Sequence, residues 1–242
     1  MKISKLLALL LILLGLSVRS QVNDAGLWVS GSVSVRVSKK IEISAAPEFR
    51  LNENFSQIQS VFTDLGGQYK ITKQFFVNYT HRIGTRSNDG FYEMRNRSQL
   101  GLGYKFEIQD FDLVLQTRYQ ALINNAGAEN DPDLKSTLRS KVQVKYNGIK
   151  KFQFTGSYEV FHNANLYGEM SWENWRAAVQ MERKYKKINF FTLGYLIQRD
   201  LTTKAPEMDF VITMGYKREL DWRKNKKDEM PKSDPTAIPK SE

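Results

Sequence analysis

Apolar and polar residues alternate one by one through most of this chain, in segments of ten residues and more, and few folds can use such a pattern. From Leu27 the odd positions read Leu27, Val29, Gly31, Val33, Val35 and Val37, while the even ones read Trp28, Ser30, Ser32, Ser34 and Arg36. The parity resumes with Ile41, Ile43, Ala45, Pro47, Phe49 and Leu51 against Glu42, Ser44, Glu48 and Arg50. Side chains in a strand point alternately to its two faces, so a period of two means one apolar and one polar face.

Nine further segments alternate in the same way, at 58–71, 74–86, 94–107, 111–123, 136–146, 152–163, 173–185, 188–199 and 208–217. They exceed the usual globular strand of about 5–6 residues and suit a tilted membrane strand of about 9–11. Short connections, such as Ser38-Lys39, Thr72-Lys73 and Lys186-Lys187, take turns with longer ones at 53–57, 87–93, 124–135, 164–172 and 200–207. A Tyr closes the strand before four short turns (Tyr69, Tyr104, Tyr146, Tyr185) and a Phe opens the next (Phe75, Phe111, Phe152, Phe190). Tight turns on one side, long loops on the other and an aromatic girdle describe an outer-membrane barrel with periplasmic turns.

The predicted fold is therefore all-β, an antiparallel up-and-down transmembrane β-barrel of about 10–12 strands, occupying residues 21–220. Eleven segments can be counted, whereas bacterial single-chain barrels usually have an even number. Either the N-terminal segment threads the lumen or one strand is misassigned. A soluble periplasmic β-sandwich binding protein is the alternative, with the apolar faces turned toward each other.

Compartment is carried by the first residues. Lys2 and Lys5 precede an apolar run from Leu6 to Leu16, and Val18-Arg19-Ser20 offers a cleavage site, so residues 1–20 read as a signal peptide. The run is shorter than the roughly 20 residues of a spanning helix. Without cysteine the chain has no disulfide, thiolate metal site or lipidated cysteine. Removing Lys2, Lys5 and Arg19 leaves 33 basic and 26 acidic residues. In an exported protein that excess points to outer-membrane lipid and lipopolysaccharide as partners rather than nucleic acid, with the barrel-assembly machinery engaged during biogenesis. Residues 221–242 hold six basic and five acidic side chains and three prolines, and are expected to form a disordered periplasmic tail.

The polar faces carry Glu48, Arg50, Asp64, Arg82, Arg97, Arg118, Arg139, Lys141, Glu159 and Glu182. These should pair across strands as a charge network near mid-height of the lumen, because an unpaired buried charge costs several kcal/mol. Filling the lumen is the first reading and an anion path along the arginines the second. No catalytic, cofactor-binding or metal site is expected. Phe161-His162-Asn163-Ala164-Asn165 resembles the histidine motif of outer-membrane lipid A deacylases, but Ala164 stands where the nucleophilic Ser belongs. His81 and His162 are the only histidines, both on the apolar register near strand ends, too few for a zinc site. Glu129, Asp131 and Asp133 are a solvated acidic loop rather than a calcium site. The reading is a non-enzymatic barrel with a structural, adhesive or narrow-transport role, and the alternative is a barrel enzyme acting on lipid or lipopolysaccharide.

Several short stretches carry a family resemblance: Gly26-Leu27-Trp28, Pro47-Glu48-Phe49-Arg50, Thr63-Asp64-Leu65-Gly66, Arg95-Asn96-Arg97 leading to Gly103-Tyr104-Lys105, Arg118-Tyr119-Gln120 and Ser157-Tyr158-Glu159-Val160-Phe161. With these the chain resembles the domain of unknown function 2490 family of uncharacterised bacterial outer-membrane β-barrel proteins. The resemblance implies the barrel and its location, and no activity.

Overall fold

The computed structural model describes residues 23–88, 91–124, 133–164, 171–202 and 208–223. The expected signal peptide, nearly all of the expected tail and the acidic residues Glu129 and Asp131 lie outside them. Eleven strands follow in chain order: β1 (Asn23–Arg36), β2 (Ile41–Asn52), β3 (Gln57–Lys70), β4 (Phe75–Asn88), β5 (Phe91–Ile108), β6 (Phe111–Asn124), β7 (Asp133–Ile149), β8 (Phe152–Asn163), β9 (Trp172–Tyr185), β10 (Asn189–Asp200) and β11 (Met208–Asp221). Each pairs antiparallel with its sequence neighbours, and the sheet closes into a barrel. Among the described residues no helix is long and apolar enough to cross a membrane.

The odd count is real. Neither a threaded N-terminus nor a misassigned strand is needed, because β1 and β11 pair in parallel from Asn23 opposite Met208 to Arg36 opposite Asp221. An odd number of up-and-down strands can close only this way. The start of β1 therefore lies at the long-loop rim and the end of β11 at the short-turn rim. The seam also extends both strands. β1 begins at Asn23, four residues before its alternation does, and β11 continues to Asp221, because each supplies the backbone partners the other needs.

Two short turns are built alike. Val37 and Ser38 donate their N–H groups to Ile41 O, and Ser38 Oγ accepts from Lys40 N and Ile41 N. Ile71, Thr72 and Phe75 repeat the arrangement, with Thr72 Oγ1 accepting from Gln74 N and Phe75 N. Three other short turns use one left-handed residue each, Gln109 (φ 51°), Lys151 (φ 68°) and Lys186 (φ 53°). A left-handed residue lets the turn follow the twist of the strands it joins.

Alternation sorts the side chains as expected. The apolar register points away from the barrel axis, where Leu65, Leu100, Leu102, Val142, Val179 and Leu193 are all exposed. Among the described residues the outward register contains no Asp, Glu or Lys, and its arginines, Arg183, Arg199 and Arg218, stand at strand ends. At the short-turn rim aromatic rings touch across strands, Phe75 with Tyr104 (4.4 Å between centroids), Phe111 with Tyr146 (5.0 Å) and Phe191 with Tyr216 (5.3 Å). One ring departs from the expected girdle. Phe190 turns inward beneath the Lys217 ammonium, 4.5 Å from its ring centre, and Phe191 takes the outward place.

The parallel seam is directly testable. Val29 and Met214 are register partners on the outward face, and the chain has no native cysteine. A V29C/M214C variant should link through a short thiol-reactive crosslinker in high yield, and a V29C/F210C variant, four residues out of register, should not. The opposite ranking on denaturing gels would contradict the parallel seam.

Candidate functional site

The inward faces meet around mid-height, where Glu159 on β8 is the best connected carboxylate. It accepts from Arg118 Nη2 on β6 at 2.5 Å, and from Arg139 on β7 through Nε at 3.2 Å and Nη2 at 3.0 Å. Arg176 Nη1 on β9 lies 3.9 Å away and is held by Gln198 Oε1 through Nη2 and Nε at 2.5 and 3.1 Å. Both Glu159 and Arg139 are buried. Three cations around one carboxylate satisfy that acid fully, and charge-assisted bonds of this kind are about twice as strong as neutral ones.

Two pairs of these residues stand by themselves, one across strands as expected and one within β2. Arg82 grips Asp64 with two bonds, 2.6 and 2.7 Å, and Arg50 binds Glu48 at 2.6 Å. The expected single network does not extend further. Glu182 lies toward the short turns, 3.1 Å from Lys217, well away from Glu159. Lys141 faces Glu159 in the register, but the arginines occupy that carboxylate, and Lys141 makes no ion pair among the described residues. Nor does Arg97. Gln99, with its amide turned so that the oxygen faces Arg97, accepts from Arg97 Nε at 2.8 Å and Nη2 at 3.0 Å.

Sequence reasoning missed the aromatic half of the site. Trp28, Phe62 and Phe161 all occupy inward positions and interleave with the guanidinium groups. Arg82 stacks 3.3 Å from the centre of Phe62, and Arg50 lies 4.8 Å from Phe62 and 3.6 Å from Trp28. Arg176 lies 5.1 Å from Trp28 and 5.3 Å from Phe161, which also faces Arg139 at 4.6 Å. Contacts of this type contribute about 0.5–2 kcal/mol each. The result is a belt running from Arg82 through Phe62, Arg50, Trp28, Arg176, Phe161 and Arg139 to Glu159 and Arg118. The signal for it was an aromatic residue at a polar-register position, as with Trp28 among the serines of β1.

Small residues make room for the belt. A Cβ on Gly84 would collide with Phe62, its register partner, and one on Gly101 would meet Arg118 Cγ at 2.6 Å. Above the belt, toward the long loops, a cavity of about 450 Å³ is lined by Arg50, Arg82, Arg86, Arg95, Arg97, Lys135 and Arg176. Three carboxylates also line it, Asp24, Glu173 and Asp209. Asp24 is spent on a loop: its two oxygens accept from Glu53 N (3.0 Å) and Asn54 N (2.9 Å). Those amides belong to the first two of three consecutive left-handed residues, Glu53, Asn54 and Phe55.

The histidines stand apart from this cavity. His162 packs on the Trp172 ring, centroids 4.3 Å apart. His81 lies mid-strand on β4 rather than near a strand end, its Nδ1 3.0 Å from Ser98 Oγ on the outward face. A Ser–His pair needs a third group to orient the imidazole, and no described residue is bonded to the other ring nitrogen. Among the described residues no group of three or more His, Asp or Glu side chains gathers as metal ligands would.

The family model described as a protein of unknown function (DUF2490) matches residues 25–209, from β1 to the opening of β11. A comparison with curated proteins finds no match.

Proposed function

This chain belongs to the DUF2490 family of proteins of unknown function, and we propose that its barrel is a non-enzymatic bacterial outer-membrane protein, occluded at mid-height, with a cup open to the cell exterior. The belt from Arg82 to Arg118 is the observation that carries this reading. Guanidinium and aromatic side chains from β1, β2, β3, β4, β6, β7, β8 and β9 meet across the lumen there, leaving the cavity above them as a cup rather than a conduit.

The outward register, with arginine at strand ends and none in mid-strand among the described residues, supports the membrane setting. A ring of exposed Leu, Ile, Val and Phe far exceeds the few hundred Å² of contiguous apolar surface that soluble monomers tolerate. A closed sheet also leaves no unpaired edge, which hydrocarbon demands. The reading N-terminal to the barrel is a signal peptide over residues 1–20, and the tail beyond Asp221 belongs in the periplasm with the short turns. Outer-membrane lipid and lipopolysaccharide would surround the strands, and the barrel-assembly machinery would insert them.

Planar-bilayer recording tests occlusion. The unaltered protein should pass no steady current. Trp28→Ala combined with Arg176→Ala removes the middle of the belt and should open a measurable anion-preferring conductance. An ohmic current through the unaltered protein would overturn the reading.

A further inference from the structure

Two pairs of arginines face each other directly across neighbouring strands. Arg118 is the register partner of Arg139, and Arg82 is the register partner of Arg97. Like charges placed opposite each other in a sheet repel, and each pair needs an anion to hold it. For the first pair the protein supplies one, since the Glu159 carboxylate binds Arg118 at 2.5 Å and Arg139 at 3.0 Å. For the second pair the carboxylate bonded among the described residues is Asp64, and both of its bonds go to Arg82. Arg97 is left with the neutral Gln99 amide.

Unlike the Arg118–Arg139 pair, the second pair lines the cup. Two of the three acids that line it are committed elsewhere: Asp24 to the loop amides, and Glu173 to Lys135 at 2.7 Å and Thr137 at 3.4 Å. Arg95 adds a further guanidinium on the same strand, two residues from Arg97, with Glu93 at 3.5 Å. A guanidinium fork matches the geometry of carboxylate, phosphate or sulfate oxygens. The cup's volume is within the range of small-molecule sites.

We propose that the cup is a binding site for a small soluble oxyanion, a phosphate- or carboxylate-bearing solute entering from the long-loop rim, with Arg97 as its anchor. The anion would do for Arg82 and Arg97 what Glu159 does for Arg118 and Arg139. Bilayer lipid cannot reach it sideways, because the strand wall closes around it. This deepens the occluded-barrel reading, which makes the site a terminus rather than a station on a conduction path.

The test uses the full chain in detergent, with inorganic phosphate and, separately, acetate as probes at constant ionic strength. Binding is followed by fluorescence of Trp28 and the other tryptophans and by the thermal unfolding midpoint. Phosphate should give a saturable change that chloride does not, and Arg97→Gln should weaken it at least ten-fold. The same variant should unfold at an equal or higher temperature without phosphate, because it removes one of two facing cations. Arg223→Gln, at the opposite rim beside Asp221, should leave phosphate binding unchanged. A phosphate effect equally strong in Arg97→Gln, or none in the unaltered protein, would overturn the site. A steady bilayer current together with Arg97-dependent phosphate binding would uphold the site while refuting occlusion.

Discussion

Replacing Glu159 by Leu should destabilise the barrel by about 3–5 kcal/mol, the usual cost of removing one partner from a buried ion cluster. The carboxylate joins β6, β7 and β8 through Arg118 and Arg139. Without it, two facing guanidinium groups remain in a closed lumen with no acid between them. Most of that cost is the leftover charge, not the lost attraction. The triple variant Glu159→Leu, Arg118→Leu, Arg139→Leu should therefore recover most of the stability, since well-packed apolar replacements of buried ion clusters are often neutral or better. Urea titration of the folded protein in detergent provides the measurement. A triple variant as unstable as the single one would mean that the cluster contributes through geometry alone.

The second large effect comes from the outer face of the neighbouring strand. Val142→Arg on β7 places a charge on the outward register, which in the proposed membrane setting costs about 2–4 kcal/mol near the bilayer midplane. Gln143→Arg, one residue on, turns its charge inward beside Lys141 and Lys145 and should be tolerated to within about 1 kcal/mol. Val142 is 46% exposed, and its neighbours Leu115 and Tyr158 across the two adjacent strands are exposed as well. Equal tolerance of the two arginines, read as the yield of folded protein in lipid, would contradict an oil-facing exterior.

The strands were legible because alternation is enforced at every step by the strand geometry itself. Val142 and Val144 read as apolar and Lys141 and Gln143 as polar, and the structure turns them to opposite faces. That the ring closes through a parallel seam was not legible. Asn23-Asp24-Ala25-Gly26 shows no alternation, and its strand character comes from a partner almost two hundred residues away. Pairing of that kind resides in the ring as a whole, not in a local pattern.

The candidate site was half legible for a related reason. Arg50 with Glu48 and Arg82 with Asp64 stand close on the same or adjacent strands, so a polar register is enough to suggest them. The parity rule treats an inward aromatic residue as an error, so Trp28, Phe62 and Phe161 carried no expectation. They are inward because a lumen of eleven strands is too wide for small side chains to meet, and flat rings give guanidinium groups something to stack on. Glu182 was placed too near the centre because register gives the face of a residue but not its height. Its position next to Lys217 follows from the β9–β10–β11 pairing.

Everything proposed depends on two neighbouring residues of a strand meeting two different solvents. Single nitroxide labels placed in turn at positions 138–145 of β7, in protein reconstituted into bilayers, measure this most directly. Accessibility to dissolved oxygen should be high at Leu138, Ser140, Val142 and Val144 and low at Arg139, Lys141, Gln143 and Lys145, with water-soluble nickel chelate excluded from the first set. Labels that all report water, in a protein that stays monodisperse without lipid or detergent, would contradict it.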